Sequence, residues 1–141
     1  MVIHADSSFL VDLLRESARG RRGPASAFLE VHAADHLLAS VFVACELEAG
    51  AARSSSPDSE RARLRALLQP LTVVFPDERF PAEYGDLLAA VRARGRTVDT
   101  MDLLIATTAI LDRAALVTAN RKHFESIPGL TLLDYRIVAD K

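Results

Sequence analysis

The chain has 141 residues, of which 50% are hydrophobic and 26% charged, and its formal net charge is -2. That length predicts one domain over residues 1–141 with its own core and leaves no room for a second, while the charge excludes a protein that grips nucleic acid by bulk electrostatics. Cys45, the one cysteine, excludes an internal disulfide and a cysteine-based zinc cluster and fits a reducing compartment.

The start Met1-Val2-Ile3-His4-Ala5-Asp6 has no basic leader and meets an acid too early for a signal peptide. No apolar run approaches the roughly 20 residues of a membrane span. A soluble cytoplasmic protein is expected.

Val2 to Ala5 reads as a short buried strand, after which Ser7 or Ser8 caps a helix whose Leu10, Leu13 and Leu14 form one apolar stripe. Gly20, Gly23 and Pro24 mark a turn, and a helix over residues 25–34 carries Phe28, Leu29 and His32. Leu37 to Ala39 is a brief strand, and Ser40 caps a helix to about Arg53 with Cys45, Glu46 and Ala49 near one side. The polar break Ser54 to Asp58 precedes a helix from about Ser59 to Leu68, stopped by Pro70.

Leu71 to Phe75 is apolar enough for a strand, and a helical segment runs from Asp77 to Arg94 with Gly95 as its stop. Asp99 or Thr100 caps the next helix, through Asp102, Ile105, Ala106 and Ala109. Ala115 to Thr118 is a strand, Asn120 caps a short helix over Phe124, Pro128-Gly129 turns the chain, and Thr131 to Leu133 is a last strand. Short strands alternating with helices predict an α/β fold, a three-layer α/β/α sandwich with a short-stranded central parallel sheet. Ligands of such sheets bind beyond the carboxyl ends of the strands, the edge at which Asp6 and Thr118-Ala119-Asn120 fall.

Asp6, Glu46 and Asp102 each stand beside an apolar run, where a charge is costly unless it is paired or bound to metal. Brought together they form a site for a hard divalent cation, Mg²⁺ or Mn²⁺. Asp99, three residues before Asp102, adds negative charge on the same helical side. Thr118 is placed to hydrogen-bond a carboxylate or a phosphate, Asn120 to ligate or orient water, and Ser7 to bond phosphate or the metal shell. Against this, Asp6 also reads as a helix cap, Asp102 as a first-turn acid favoured by the helix dipole, and Glu46 as a partner of Arg96 or Arg121.

Other residues say less. His32 and His36 have zinc spacing, but no glutamate follows His32 and no third ligand is apparent, so a surface or half-buried pair is expected. His4 is expected beside the site and His123 packed near Phe124. Neither Ser7 nor Ser8 has a neighbouring base, which disfavours a serine nucleophile. The arginines at 15, 19, 21 and 22, at 61, 63 and 65, and at 92, 94 and 96 read as solvated faces or as local phosphate contacts.

Four segments carry a family resemblance: residues 2–8 with Asp6, residues 40–50 with Glu46 and Gly50, residues 102–109 with Asp102, and residues 116–124 with Thr118 and Asn120. In order and spacing the chain resembles PIN-domain ribonucleases of the VapC toxin type, nearly end to end. The resemblance implies a metal-dependent endoribonuclease in which Asp6, Glu46 and Asp102 hold Mg²⁺ or Mn²⁺ against an RNA phosphodiester, with transfer RNA or a ribosomal loop as substrate. It also implies a homodimer and a cognate antitoxin, for whose helix residues 9–14 and 27–31 offer an apolar groove unless they pack in the core. At the fourth acidic position the chain departs from many relatives, having Asn120 and His123 where they carry an aspartate.

Two other classes compete. A phospho-accepting receiver domain needs paired acids after its first strand and a lysine after its last, whereas Asp6 stands alone and Lys122 falls in a helix. A noncatalytic PIN-like module binding RNA or protein remains compatible with the missing fourth aspartate.

Overall fold

The computed structural model describes residues 1–139. Five strands, β1 (Val2–Ala5), β2 (His36–Ser40), β3 (Thr72–Val74), β4 (Ala115–Val117) and β5 (Leu132–Leu133), pair in parallel in the order β3-β2-β1-β4-β5. Between and after them run α1 (Ser7–Arg19), α2 (Pro24–Val31), α3 (Val41–Arg53), α4 (Pro57–Leu68), α5 (Phe80–Ala93), α6 (Thr100–Leu111), α7 (Arg121–Phe124) and α8 (Tyr135–Ala139). The result is the expected three-layer α/β/α sandwich.

β1 lies at the centre because its last three residues are buried, as a parallel strand covered on both faces requires. Ile3 pairs with Leu37 on one side and Ala115 on the other. The chain builds outward from β1 through β2 to β3, then crosses to β4 and β5, so strand order reverses between β1 and β4. A backbone bond from Asp6 N to the Val117 carbonyl, 3.0 Å, carries the pairing one residue past β1. That bond sets Asp6 in the crevice of the reversal.

Helix starts follow the sequence in part. Ser40 Oγ accepts the Val43 N–H at 3.2 Å and Asp99 Oδ1 accepts the Met101 N–H at 3.0 Å, each satisfying a first-turn donor as expected. At α1 the expected serine cap is wrong: Asp6 holds the cap position without a side-chain cap bond, and Ser7 and Ser8 are the first helical residues. Asn120 likewise precedes α7 without a side-chain cap bond. α4 begins at Pro57, whose missing N–H costs nothing in a first turn, and α5 begins at Phe80 because Asp77 spends its carboxylate on Arg79 in the preceding turn.

The turn from α1 to α2 is fixed by Glu16, whose carboxylate accepts the N–H groups of Gly23, Ala25 and Ser26 at 2.8, 3.0 and 2.9 Å, and also the Ser26 hydroxyl. Gly20 ends α1 at φ 61°, a left-handed conformation that glycine adopts without a Cβ penalty. α8 was not expected. It is seated by Tyr135, 1% exposed, whose ring meets Phe9 edge-on at 5.0 Å and whose hydroxyl donates to Asp12.

The core joins Ile3, Phe9, Leu10, Phe28, Leu64, Leu103, Ile105, Leu116 and Phe124. α6 is apolar nearly all round and sits deep in the molecule, its Thr107 and Thr108 hydroxyls donating to the carbonyls four residues back at 2.7 and 2.9 Å. Among the described residues no helix is long and apolar enough to cross a membrane.

Candidate active site

Asp6 is 3% exposed. Its Oδ2 accepts the Thr118 hydroxyl at 2.7 Å and the Ser8 hydroxyl at 3.1 Å, while no donor among the described residues reaches Oδ1. Thr118, wholly buried, accepts the Asn120 N–H at 2.9 Å, and Ser8 Oγ accepts the Ala119 N–H at 3.1 Å. Both hydroxyls thus accept a backbone N–H from the turn after β4 and donate to Asp6, which fixes the carboxylate while leaving one oxygen free. A capping role does not explain this aspartate.

Glu46 reaches the same crevice from the second turn of α3, and its Oε1 accepts the Ser7 hydroxyl at 2.9 Å. Burial pushes its carboxyl above the ordinary value; Ser7 pulls it down, and the charges of Asp6 and Asp99 push it up again. No ion pair reaches it among the described residues, so pairing with Arg96 or Arg121 is not its role.

Asp102, in the first turn of α6, shows the strongest effect. Burial raises its carboxyl, His123 opposes the rise, and the negative charges of Asp6, Asp99 and Glu46 reinforce it, leaving a value of about 6. His123 Nδ1 lies 3.5 Å from Asp102 Oδ2 with the imidazole 59% exposed. Asp99 is exposed at the head of α6, its Oδ1 on the Met101 N–H. Four carboxylates from three segments therefore share one electrostatic neighbourhood, although among the described residues no three acid, cysteine or histidine side chains close into a cage for an ion.

His32 and His36 are half-buried and exposed, as expected, whereas His4 and His123 depart from expectation. His32 caps the end of α2, its ring tilted against Phe28 with centroids 4.2 Å apart and its Nδ1 2.7 Å from Asp35, whereas exposed His36 opens β2, so the two share no helix face. His4 is buried with Nε2 2.6 Å from Asp112 Oδ2, at the opposite end of α6 from Asp102, and so does not face the acids. His123 faces Asp102 instead of packing with Phe124. Its exposure was legible in principle, since a one-turn helix that buries Phe124 must turn its neighbour outward. Ser8 was also missed as an anchor of Asp6; its spacing of two residues from an aspartate at a helix start is the only sequence signal.

From Ser7 and Glu46 a cavity of about 870 Å³ extends between α1, α3 and α4. Val11 and Leu14 line it from α1, but Phe9, Leu10, Leu13 and Phe28 are buried in the core, so of the two roles open to residues 9–14 and 27–31 the structure favours core packing over a shared apolar groove.

The sequence pattern described as the PIN domain matches residues 3–130. Ribonuclease VapC2 of Rickettsia felis is 33% identical over 105 residues, 74% of this chain and 78% of its own length. The chain belongs to the VapC group of PIN-domain proteins. A second relative of this PIN domain, ribonuclease VapC19 of Mycobacterium tuberculosis, is 33% identical over 128 residues, 89% of this chain and 94% of its own. The crystal structure of VapBC2 from Rickettsia felis bound to a promoter DNA fragment matches the PIN fold with a TM-score of 0.86 at 27% identity, over 94% of this chain and 98% of that one.

Proposed function

We propose that the protein is a metal-dependent endoribonuclease, the toxin of a toxin–antitoxin pair, with Asp6, Glu46 and Asp102 as its catalytic acids. The observation that carries this reading is geometric: a buried Asp6, anchored through one oxygen by Thr118 and Ser8, opens on the same crevice as Glu46 and Asp102, whose carboxyls are raised by burial and by the neighbouring charges of Asp6 and Asp99. Carboxylates that are costly to ionise together gain most from a cation placed among them. The donor set consists of hard oxygens with no sulfur, which fits Mg²⁺ or Mn²⁺.

When bound, such an ion supplies an activated water and neutralises charge gathering on the scissile phosphate. The chain's own residues do the rest. Thr118 and Ser8 aim Asp6 Oδ1 into the crevice, Ser7 orients Glu46, and Asp99 adds negative charge at the head of α6 without being tied to the other acids. His123, exposed beside Asp102, is placed to donate to a phosphate oxygen, and Asn120 offers its side-chain carbonyl at the same rim.

The relatives named ribonuclease support RNA as the substrate, and the paired VapBC structure supports a protein partner that restrains the toxin. The same reading carries a homodimer and a cytoplasmic site of action. The test uses partner-free protein incubated with structured RNA and Mg²⁺ or Mn²⁺. Cleavage that is lost in Asp6→Asn and Asp102→Asn supports the reading, whereas no cleavage in either metal, or unchanged cleavage in both variants, defeats it and leaves a noncatalytic binding module.

A further inference from the structure

We propose that Arg15, Arg53 and Arg63 hold the phosphates of the RNA strand flanking the cleavage point. This deepens the nuclease reading and rests on it for the identity of the polymer. The cavity that opens at Ser7 and Glu46 receives one arginine from each of three helices, Arg15 from α1, Arg53 from α3 and Arg63 from α4, with Glu60 as the one further acid in its lining. Helical geometry dictates the placement. Arg53 lies seven residues after Glu46, two turns along the same face of α3 and about 10 Å from it along the axis.

The three guanidinium groups are available for a ligand. Arg15 approaches Asp12 only to 3.6 Å and Arg63 approaches Glu60 only to 3.9 Å, both with exposed side chains, and Arg53 has no ion pair among the described residues. By contrast Arg22 is paired with Glu30 and Arg79 is held by Asp77 through its Nε and a terminal nitrogen, which is how a merely structural arginine looks in this chain. Arginine matches phosphate with a planar fork of donors.

The nuclease reading selects RNA rather than an acidic peptide, and electrostatics sets what that strand needs. The cluster of Asp6, Glu46, Asp99 and Asp102 repels a polyanion, so a strand that must enter it needs compensating positive charge close by, continuous with the same crevice. The floor between the arginines is aliphatic, with Leu14, Leu47 and Leu64 and no aromatic ring. Such a floor tolerates any base and leaves recognition to phosphate contact and guanidinium stacking.

The test measures binding of a short fluorescent single-stranded RNA of mixed sequence to partner-free protein in chelator, over a range of salt, and separately kcat and KM for cleavage in Mn²⁺. Arg15→Gln, Arg53→Gln and Arg63→Gln are compared singly and together with Arg65→Gln, an exposed arginine of α4 outside the cavity. Each cavity substitution is expected to weaken RNA binding about threefold to tenfold and to lower the salt slope by about 0.7 to 1. KM should rise in parallel with kcat within about twofold, and Arg→Lys should recover part of the loss. Affinity and slope that stay at the wild-type value, or that fall no more than in Arg65→Gln, overturn the inference. Loss of binding to an acidic protein partner with RNA binding intact also overturns it and assigns the arginines to that partner. RNA binding that depends on the arginines without cleavage in any cation would sink the nuclease reading and leave the phosphate track standing.

Discussion

Thr118 donates its hydroxyl proton to Asp6 Oδ2 at 2.7 Å, tying the residue after β4 to the residue after β1 across the point where strand order reverses. The Thr118 hydroxyl oxygen in turn accepts the Asn120 N–H at 2.9 Å. Thr118→Val keeps the shape and removes both functions. It is expected to cost about 1–3 kcal/mol of stability, from the buried groups left unpartnered. Misorienting Asp6 should lower cation affinity and RNA cleavage by about tenfold to a hundredfold. Thr118→Ser should restore most of both, as read by thermal melts and cleavage rates.

Asp102 predicts an inverted pH dependence for the cation-free protein. Its folded value of about 6 lies above the ordinary 3.8, so the folded state holds the extra proton between those values. Stability from this group is full below about pH 4 and falls as pH rises through 6, by at most about 3 kcal/mol. Asp102→Asn should therefore melt higher than wild type at pH 7 in chelator and lose that advantage near pH 4. Saturating Mn²⁺ should narrow the gap at pH 7 by stabilising the wild type alone. A variant that melts lower at every pH would contradict the electrostatic account of the site.

Glu16 predicts the opposite sign. Burial alone would raise its carboxyl, but the bonds from Ser26, Ala25 and Gly23 outweigh burial and hold it below the ordinary 4.5. Its contribution is present above that value and fades as pH falls through the lowered one. Glu16→Gln should cost about 1–3 kcal/mol at pH 7, with the gap to wild type closing in acid, and should leave cleavage by the folded protein unchanged. Gly23→Ala should destabilise by the same route, because its Cβ would stand 2.7 Å from the Glu16 carboxyl carbon that four hydrogen bonds hold in place. Chemical denaturation at pH 7 and pH 4 checks both.

What could be read from the chain beforehand was what local chemistry determines. Apolar runs of about four residues gave the strands, Ser40 and Asp99 marked helix starts because their side chains reach an N–H two or three residues on, and Asp6 and Thr118 fell at the carboxyl edge because each directly follows a buried strand. What depends on distant partners was not legible. Ser7 and Ser8 looked like caps, yet Glu46 and Asp6 claim their hydroxyls from across the crevice and along the turn. Leu10, Leu13 and Leu14 read as one apolar stripe, but Leu10 and Leu13 turn into the core while Leu14 faces the cavity. α8 has five residues and no local signal, and it forms because Tyr135 finds Phe9 and Asp12 far back in the chain.

In the proposed nuclease, Asp6, Glu46 and Asp102 jointly hold a hard cation that RNA cleavage requires. Binding of Mn²⁺ to partner-free protein at pH 7, followed by electron paramagnetic resonance alongside RNA cleavage, tests it most directly. The expected result is saturable binding whose occupancy tracks the cleavage rate, weakened at least about tenfold in Asp6→Asn and in Asp102→Asn. Cleavage without saturable Mn²⁺ binding, or binding of equal strength in wild type and both variants, would contradict it.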